Sequence, residues 1–176
     1  MCPLTVWLTG LSGAGKSTLA AELKRRLAGA GKPCYVLDGD ALRAGISRDL
    51  GFAPQDRREN IRRAAEIARL MNDAGLIVLA AFISPYRSDR RMAAQIIGPD
   101  RFIEAYLDAP LEICEKRDPK GLYRKARAGA LVDFTGVSAP YEPPESPAIV
   151  LDTGTSAVGE CAGRLLELVN ARLGAL

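Results

Sequence analysis

Five apolar runs punctuate the chain: Thr5–Thr9, Cys34–Leu37, Leu76–Phe82, Phe102–Leu107 and Ala148–Leu151. Most are continuous rather than alternating, as parallel strands covered on both faces require. Between them lie segments with helical spacing. One opens after Gly15 and runs to about Ala28, where Gly29 and Gly31 end it. A second runs from Pro54 or Gln55 to Asn72, with Ile61, Ala64, Ala65, Ala68 and Met71 forming an apolar stripe. A third follows Pro85-Tyr86 and ends near Gly98-Pro99, Leu111–Arg117 is short, and the last runs from about Ala157 to Leu173. Strands alternating with helices predict right-handed crossovers and an α/β three-layer sandwich, a five-stranded parallel sheet with helices on both faces. Ligands in such sheets bind beyond the carboxyl ends of the strands. Asp38, Asp40, Ser84, Asp108 and the segment after Arg117 lie at those ends.

Asp118 to Pro147 breaks the pattern, being rich in Lys, Arg, Gly and Pro with few large aliphatics. It is long for a connection in a compact domain, and its cluster of Lys120, Arg124, Lys125 and Arg127 favours a basic lid over phosphates rather than a loose surface insertion. The length of 176 residues suits one domain, 1–176, with a single core. No repeat, low-complexity tract or linker interrupts it.

The first strand runs directly into Gly10-Leu11-Ser12-Gly13-Ala14-Gly15-Lys16-Ser17-Thr18, which fits G-x-x-x-x-G-K-[ST] at every fixed position. Glycines let successive backbone N–H groups turn toward one anion, and the following helix adds the positive end of its dipole. Lys16 then reaches the β- and γ-phosphates and the Ser17 hydroxyl ligates Mg²⁺. The chain thus reads as a P-loop NTPase that handles a nucleoside triphosphate, ATP with Mg²⁺ as cofactor. Where the phosphoryl group goes is a separate question.

Composition narrows the chemistry. The net charge of +3 is too small for a nucleic-acid footprint. Arginines nevertheless gather at Arg57-Arg58, Arg62-Arg63, Arg87 and Arg90-Arg91, where they can grip phosphate or sulfate bidentately or simply form solvated helix faces. With no histidine, Ser-His-Asp triads, Cys-His pairs and His-ligated metals are excluded, so a general base must be a carboxylate or lysine. Cys2, Cys34, Cys114 and Cys161 form no C-x-x-C pair, which points to reduced, mostly buried thiols in a cytoplasmic protein. No signal sequence precedes the first strand, and the longest apolar run, Leu76 to Ile83, is too short to span a membrane.

Leu37-Asp38-Gly39-Asp40-Ala41-Leu42-Arg43 places two carboxylates and an arginine just beyond the second strand. One carboxylate can take the proton of an attacking hydroxyl or organise Mg²⁺, and Arg43 can hold an anionic group. Asp40 also reads as the N-cap of a helical segment. The third strand ends in Ile83-Ser84-Pro85, without the aspartate of a typical second nucleotide motif, so the metal relies on Ser17, water, phosphate oxygens and Asp38 or Asp40. Ser84 at that tip can touch the acceptor or mark a Ser-Pro turn. Arg57 and Asn60 share a helix face, where a cation beside an amide suits an anion next to a base or sugar.

In combination, LDGD-x-x-R (Leu37–Arg43), DLGF (Asp49–Phe52), ENIRR (Glu59–Arg63), FISPYR (Phe82–Arg87), RDPKGLY (Arg117–Tyr123) and DFTG (Asp133–Gly136) resemble adenylylsulfate kinase from Thr5 to about Asp152. The resemblance implies transfer of the γ-phosphate of ATP to the 3′-hydroxyl of adenosine 5′-phosphosulfate. It places Asp38, Arg43, Phe52, Arg57, Asn60, Ile83, Ser84, Lys120, Gly121, Leu122 and Phe134 at the adenylyl-sulfate pocket. Phe52 and Phe134 are the natural pair to clamp its adenine by stacking. Arg117 is placed to cover the ATP adenine, and Lys16, Asp40 and Ser84 are the catalytic candidates, with Ser17 and Asp40 holding the metal. Ser84 matches the serine that the family is described as phosphorylating, but direct transfer is simpler, since no base beyond the aspartates is evident for it. Ala44 and Ala53 stand where many relatives carry polar residues, and neither removes an assigned role. The resemblance also implies a homodimer; the short apolar runs predict no membrane partner, and 176 residues leave no room for a sulfurylase domain, so a separate ATP sulfurylase is expected upstream. The rivals are another small-molecule kinase, such as a nucleoside or sugar kinase, and a nucleotide-binding module without turnover.

Overall fold

The computed structural model describes residues 3–175, so Cys2 lies outside the described residues. The strands β1 (Thr5–Thr9), β2 (Cys34–Asp38), β3 (Ile77–Ala81), β4 (Phe102–Asp108) and β5 (Ile149–Asp152) form one parallel sheet in the order β2-β3-β1-β4-β5. β1 and β3 are buried at every residue, whereas the edge strands β2 and β5 are only partly buried. β3 is accordingly apolar throughout, and β1 is apolar between two buried threonines, Thr5 and Thr9. β1 pairs with both β3 and β4, so the chain departs from its tip between two diverging crossovers.

The helices are α1 (Lys16–Gly29), α2 (Gly39–Ala44), α3 (Pro54–Asp73), α4 (Arg87–Ile97), α5 (Leu111–Arg117), α6 (Leu122–Arg127) and α7 (Val158–Ala175). Side chains alternate across β1 and so belong to two cores. Val6 and Leu8 pack with Leu19 and Leu23 of α1 and Leu165 and Val169 of α7. Trp7 points the other way, toward Ile61, Ala64 and Ala68 of α3 and Ala93 and Ile97 of α4. The result is the three-layer α/β sandwich. The apolar stripe read in α3 is the face it buries.

Most differences from the sequence expectation are single residues at element ends: Leu76 and Phe82 lie outside β3, and β5 starts and ends one residue later. The larger difference is residues 118–147. Asp118 accepts hydrogen bonds from the backbone N–H groups of Tyr123 and Arg124, both at 3.1 Å, and closes the first turn of α6. Tyr123 is buried and its hydroxyl donates to the Ser12 carbonyl at 2.9 Å. Phe134 and Val137 pack against the α1/α7 core. Three anchoring side chains thus tie to the body a segment that composition alone reads as peripheral.

Candidate active site

At the tip of β1 the chain turns through Gly10 (φ +152°), Gly13 (φ +77°) and Gly15 (φ +94°) before α1 starts at Lys16. Two of these glycines also lack room for a side chain. A Cβ would stand 2.7 Å from the Leu107 carbonyl oxygen at Gly10 and 2.9 Å from that of Cys114 at Gly13. Lys16 is buried, and its ammonium donates to the carbonyls of Gly10 (2.9 Å) and Leu11 (2.7 Å). Burial pushes its pKa down to about 8.

Ser17 Oγ donates to Asp38 Oδ2 at 2.8 Å, while Asp38 Oδ1 accepts from the Asp40 N–H at 2.9 Å. Asp38, not Asp40, is therefore the cap of α2, because its extended backbone precedes the first helical residue. Asp40 turns the other way and pairs with Lys120 from the 118–147 segment. Of the two carboxylates, it is Asp38 that the structure brings to Ser17.

A cavity of about 1000 Å³ opens above the sheet. Its lining includes Ser12 to Thr18, Asp38, Asp40, Arg43, Phe52, Arg57, Asn60, Ile83, Ser84, Arg117, Lys120, Leu122 and Phe134, so most residues named from the sequence converge there. Gly10, Leu11 and Gly121 do not line it. Gly10 and Leu11 act through the carbonyls that hold Lys16, and Leu11's side chain packs against the core. Gly121 (φ +65°) supplies the left-handed residue that starts α6.

One end of the cavity is the glycine loop with Arg117, which donates to the carbonyls of Gly13 (3.3 Å) and Thr153 (2.6 Å). Thr153, Ser156 and Val158 also line it, and sequence reasoning missed them. Their signal is position alone, at the carboxyl end of β5.

The other end is cationic and aromatic. Arg43 stacks over the Phe52 ring at 4.4 Å and donates to the Gly51 carbonyl at 2.7 Å. Arg57 lies 5.8 Å from the same ring and donates to Phe52 O (2.8 Å), Thr135 Oγ1 (3.1 Å) and Asp133 O (2.5 Å). Neither arginine forms an ion pair among the described residues. Burial lowers the pKa of both, and Arg57 lowers that of Arg43 further. Two neighbouring cations, neither held in an ion pair, favour an anion, although Asp56 and Asp40 near Arg43 and Asp133 near Arg57 offset part of their charge. Phe52 is 60% exposed, a ring held out into the cavity. Phe134 meets Tyr123 edge-on at 5.0 Å, so the expected aromatic pair is present on the lining but each ring has its own support. Asn60 is buried with Oδ1 lacking a partner, on the cavity wall.

Residues 2–152 match the sequence profile of adenylylsulphate kinase. The chain belongs to this family. A curated adenylyl-sulfate kinase of Pseudomonas entomophila is 54% identical over 170 residues, covering 97% of this chain and 82% of that protein. One from an Enterobacter strain is 56% identical over 166 residues, covering 94% and 82%. Among solved structures, a Mycobacterium tuberculosis APS kinase in complex with AMPPNP and APS superposes with a TM-score of 0.92 at 44% identity, covering 96% of this chain and 98% of that one. In this member of the adenylylsulphate kinase family, the arginine clusters also sort themselves. Arg62 and Arg63 are engaged by Glu59 and Asp49 on the surface. Arg90, for which the sequence left an anion grip and a solvated helix face open, is 2% exposed and pairs with Glu104.

Proposed function

We propose that this chain transfers the γ-phosphate of ATP to the 3′-hydroxyl of adenosine 5′-phosphosulfate, giving ADP and 3′-phosphoadenosine 5′-phosphosulfate. The observation that carries the reading is the cavity itself. A phosphate-cradling loop at one end faces a cationic clamp around an exposed aromatic ring at the other, which is what an ATP and an adenine-bearing anion require together. Lys16 holds the transferring phosphate, Arg43 and Arg57 hold the phosphosulfate, and Phe52 and Phe134 hold the base. Arg117 covers the ATP adenine. Lys120 and the rest of 118–147 close the cavity as a lid within the domain 1–176.

The donor set suits a hard divalent cation. The Ser17 hydroxyl and the Asp38 carboxylate it bonds are both oxygen ligands lining the cavity beside Lys16. Ser17, with Asp40 or Asp38, would hold Mg²⁺, which when bound neutralises charge on the phosphate oxygens. The aspartate not so engaged takes the proton of the attacking hydroxyl. Direct transfer is favoured over a phosphoserine. Ser84 Oγ hydrogen-bonds only to Trp7 Nε1, Thr9 Oγ1 and, at 3.4 Å, the Phe82 carbonyl, so no carboxylate among the described residues stands ready to take its proton.

A homodimeric, cytoplasmic enzyme supplied by a separate ATP sulfurylase completes the reading; among the described residues no helix is long and apolar enough to cross a membrane. The test is ADP release with ATP and Mg²⁺ against adenosine 5′-phosphosulfate, AMP and gluconate. Turnover with the first alone supports it. Preference for AMP or gluconate, or no turnover at all, overturns it.

A further inference from the structure

Behind the acceptor end lies a buried polar network that none of the roles above uses. Ser84 sits at φ +41°, a conformation that costs a non-glycine residue energy and persists only where its surroundings hold it. Arg90 holds it. Its guanidinium donates to the Ser84 carbonyl (2.6 Å), the Glu142 carbonyl (2.7 Å) and Glu104 Oε1 (2.7 Å). Its face lies 5.8 Å from the Tyr141 ring, which stacks on Tyr106. The backbone is bolted at the same place by Glu142 N–H to the Pro85 carbonyl at 2.8 Å.

Proton counting then fixes the direction of each hydroxyl. Thr9 has one hydroxyl hydrogen and gives it to the Ile83 carbonyl at 2.8 Å. Toward Ser84 Oγ (3.1 Å) and Tyr141 OH (2.9 Å) it can therefore only accept. Ser84 accepts from Trp7 Nε1 at 3.1 Å. Its hydrogen goes to Thr9 Oγ1 or, at 3.4 Å, to the Phe82 carbonyl, and either way what remains for the cavity is a lone pair, able to accept a hydrogen bond but not to donate one.

We infer that Arg90 and Tyr141 are positioning residues of the transfer reaction: they clamp strained Ser84 and Thr9 so that the serine presents a fixed hydrogen-bond acceptor to the bound acceptor molecule, while that molecule's reacting hydroxyl gives its proton to the aspartate. This rests on the proposed phosphotransfer to adenosine 5′-phosphosulfate. It also gives Thr9, the residue before the glycine loop, a part in joining the donor and acceptor halves. Arg90→Lys keeps the charge beside Glu104 but loses the planar fork that serves three acceptors at once. Tyr141→Phe removes one hydroxyl and keeps the ring stack.

The test measures kcat and both KM values for the wild type, Arg90→Lys, Tyr141→Phe and, as a surface control, Glu66→Gln, which weakens only exposed pairs with Arg62 and Arg69 along α3. Trp7 is the sole tryptophan and donates to Ser84, so its emission reports acceptor binding without turnover. Arg90→Lys is expected to lower kcat/KM for the acceptor roughly tenfold or more, and Tyr141→Phe about threefold, with KM for ATP within about twofold of wild type and a weakened Trp7 response to the acceptor. Glu66→Gln should match the wild type. If both variants keep wild-type acceptor parameters, or lose ATP and acceptor efficiency equally, the positioning role is wrong. Should Arg90→Lys fail to fold, Tyr141→Phe alone decides by the same criterion. A wild type inert toward adenosine 5′-phosphosulfate overturns the parent reading instead, a result distinct from either.

Discussion

The Ser17 hydroxyl donates to the Asp38 carboxylate at 2.8 Å, joining the glycine loop to the tip of the edge strand β2. The same carboxylate caps α2 through the Asp40 N–H, so one side chain fixes both the loop's hydroxyl and the helix that carries Arg43. The Asp40 side chain is 72% exposed and, among the described residues, its one ion pair is with Lys120 of the basic segment. Asp38→Asn should therefore lower kcat by about a hundredfold and raise the Mg²⁺ concentration needed for half-maximal rate. Asp40→Asn should raise that concentration less, because its exposed pair contributes only about 0–1 kcal/mol. Mg²⁺ titrations of both variants check the order; the reverse ranking would place the metal on Asp40.

Lys16 makes nucleotide binding sensitive to alkaline pH. Burial lowers its pKa from the ordinary 10.5 to about 8, so the folded chain gives up this proton before the unfolded chain does. Through that window the unfolded state binds more protons, and the Lys16 contribution to stability rises with pH. Phosphate binding needs the charged ammonium and moves the opposite way. Affinity for a non-hydrolysable ATP analogue should fall about tenfold per pH unit above 8 until the phosphate-bound lysine itself titrates. Calorimetric titration from pH 7 to 10 measures this, and a flat profile would show that Lys16 is not the phosphate ligand.

Glycine substitutions separate backbone strain from loop function. Gly13 and Gly75 both have positive φ, at +77° and +90°, but only at Gly13 would a Cβ meet a neighbour, the Cys114 carbonyl at 2.9 Å. Gly75→Ala should cost about 1–2 kcal/mol of stability and leave ATP affinity intact. Gly13→Ala should lower both, with nucleotide affinity down at least about tenfold. Thermal melts with and without the ATP analogue distinguish the two. Equal ligand-induced shifts in both variants would mean that the loop does not cradle the phosphates.

Much of this was legible because the informative residues are local. Glycines, lysine and serine in eight consecutive positions announce the loop, and strands buried on both faces write themselves as apolar runs. The long-range partners were not legible. Tyr141 meets Thr9 across 132 residues, and nothing about either position predicts the other. Arg90 reads as surface charge beside Arg91 until Glu104 and two carbonyls bury it. The helix α6 hides in a basic stretch because Asp118, several residues earlier, supplies the acceptors for its first turn. The two aspartates of LDGD cannot be ranked by spacing either, since both flank Gly39 and only the fold turns one to Ser17 and the other to Lys120.

Phe52 tests the acceptor end with little risk to the fold, since the ring is 60% exposed and lies under Arg43. Base–aromatic stacking of about 1–3 kcal/mol implies that Phe52→Ala raises KM for adenosine 5′-phosphosulfate about 5- to 150-fold. The melting temperature should stay within about 2 °C and KM for ATP should be unchanged. Steady-state kinetics with each substrate varied in turn checks it; an unchanged acceptor KM would remove Phe52 from the base-binding site.

Where the phosphate lands decides the central claim. ³¹P NMR of the product formed from ATP and adenosine 5′-phosphosulfate should show one new phosphomonoester on the 3′-oxygen, with the phosphosulfate resonance intact and ADP formed in equal amount. ADP with inorganic phosphate and no new ester, or phosphorylation at any other oxygen, would contradict a cavity built to bring the 3′-hydroxyl to the glycine loop.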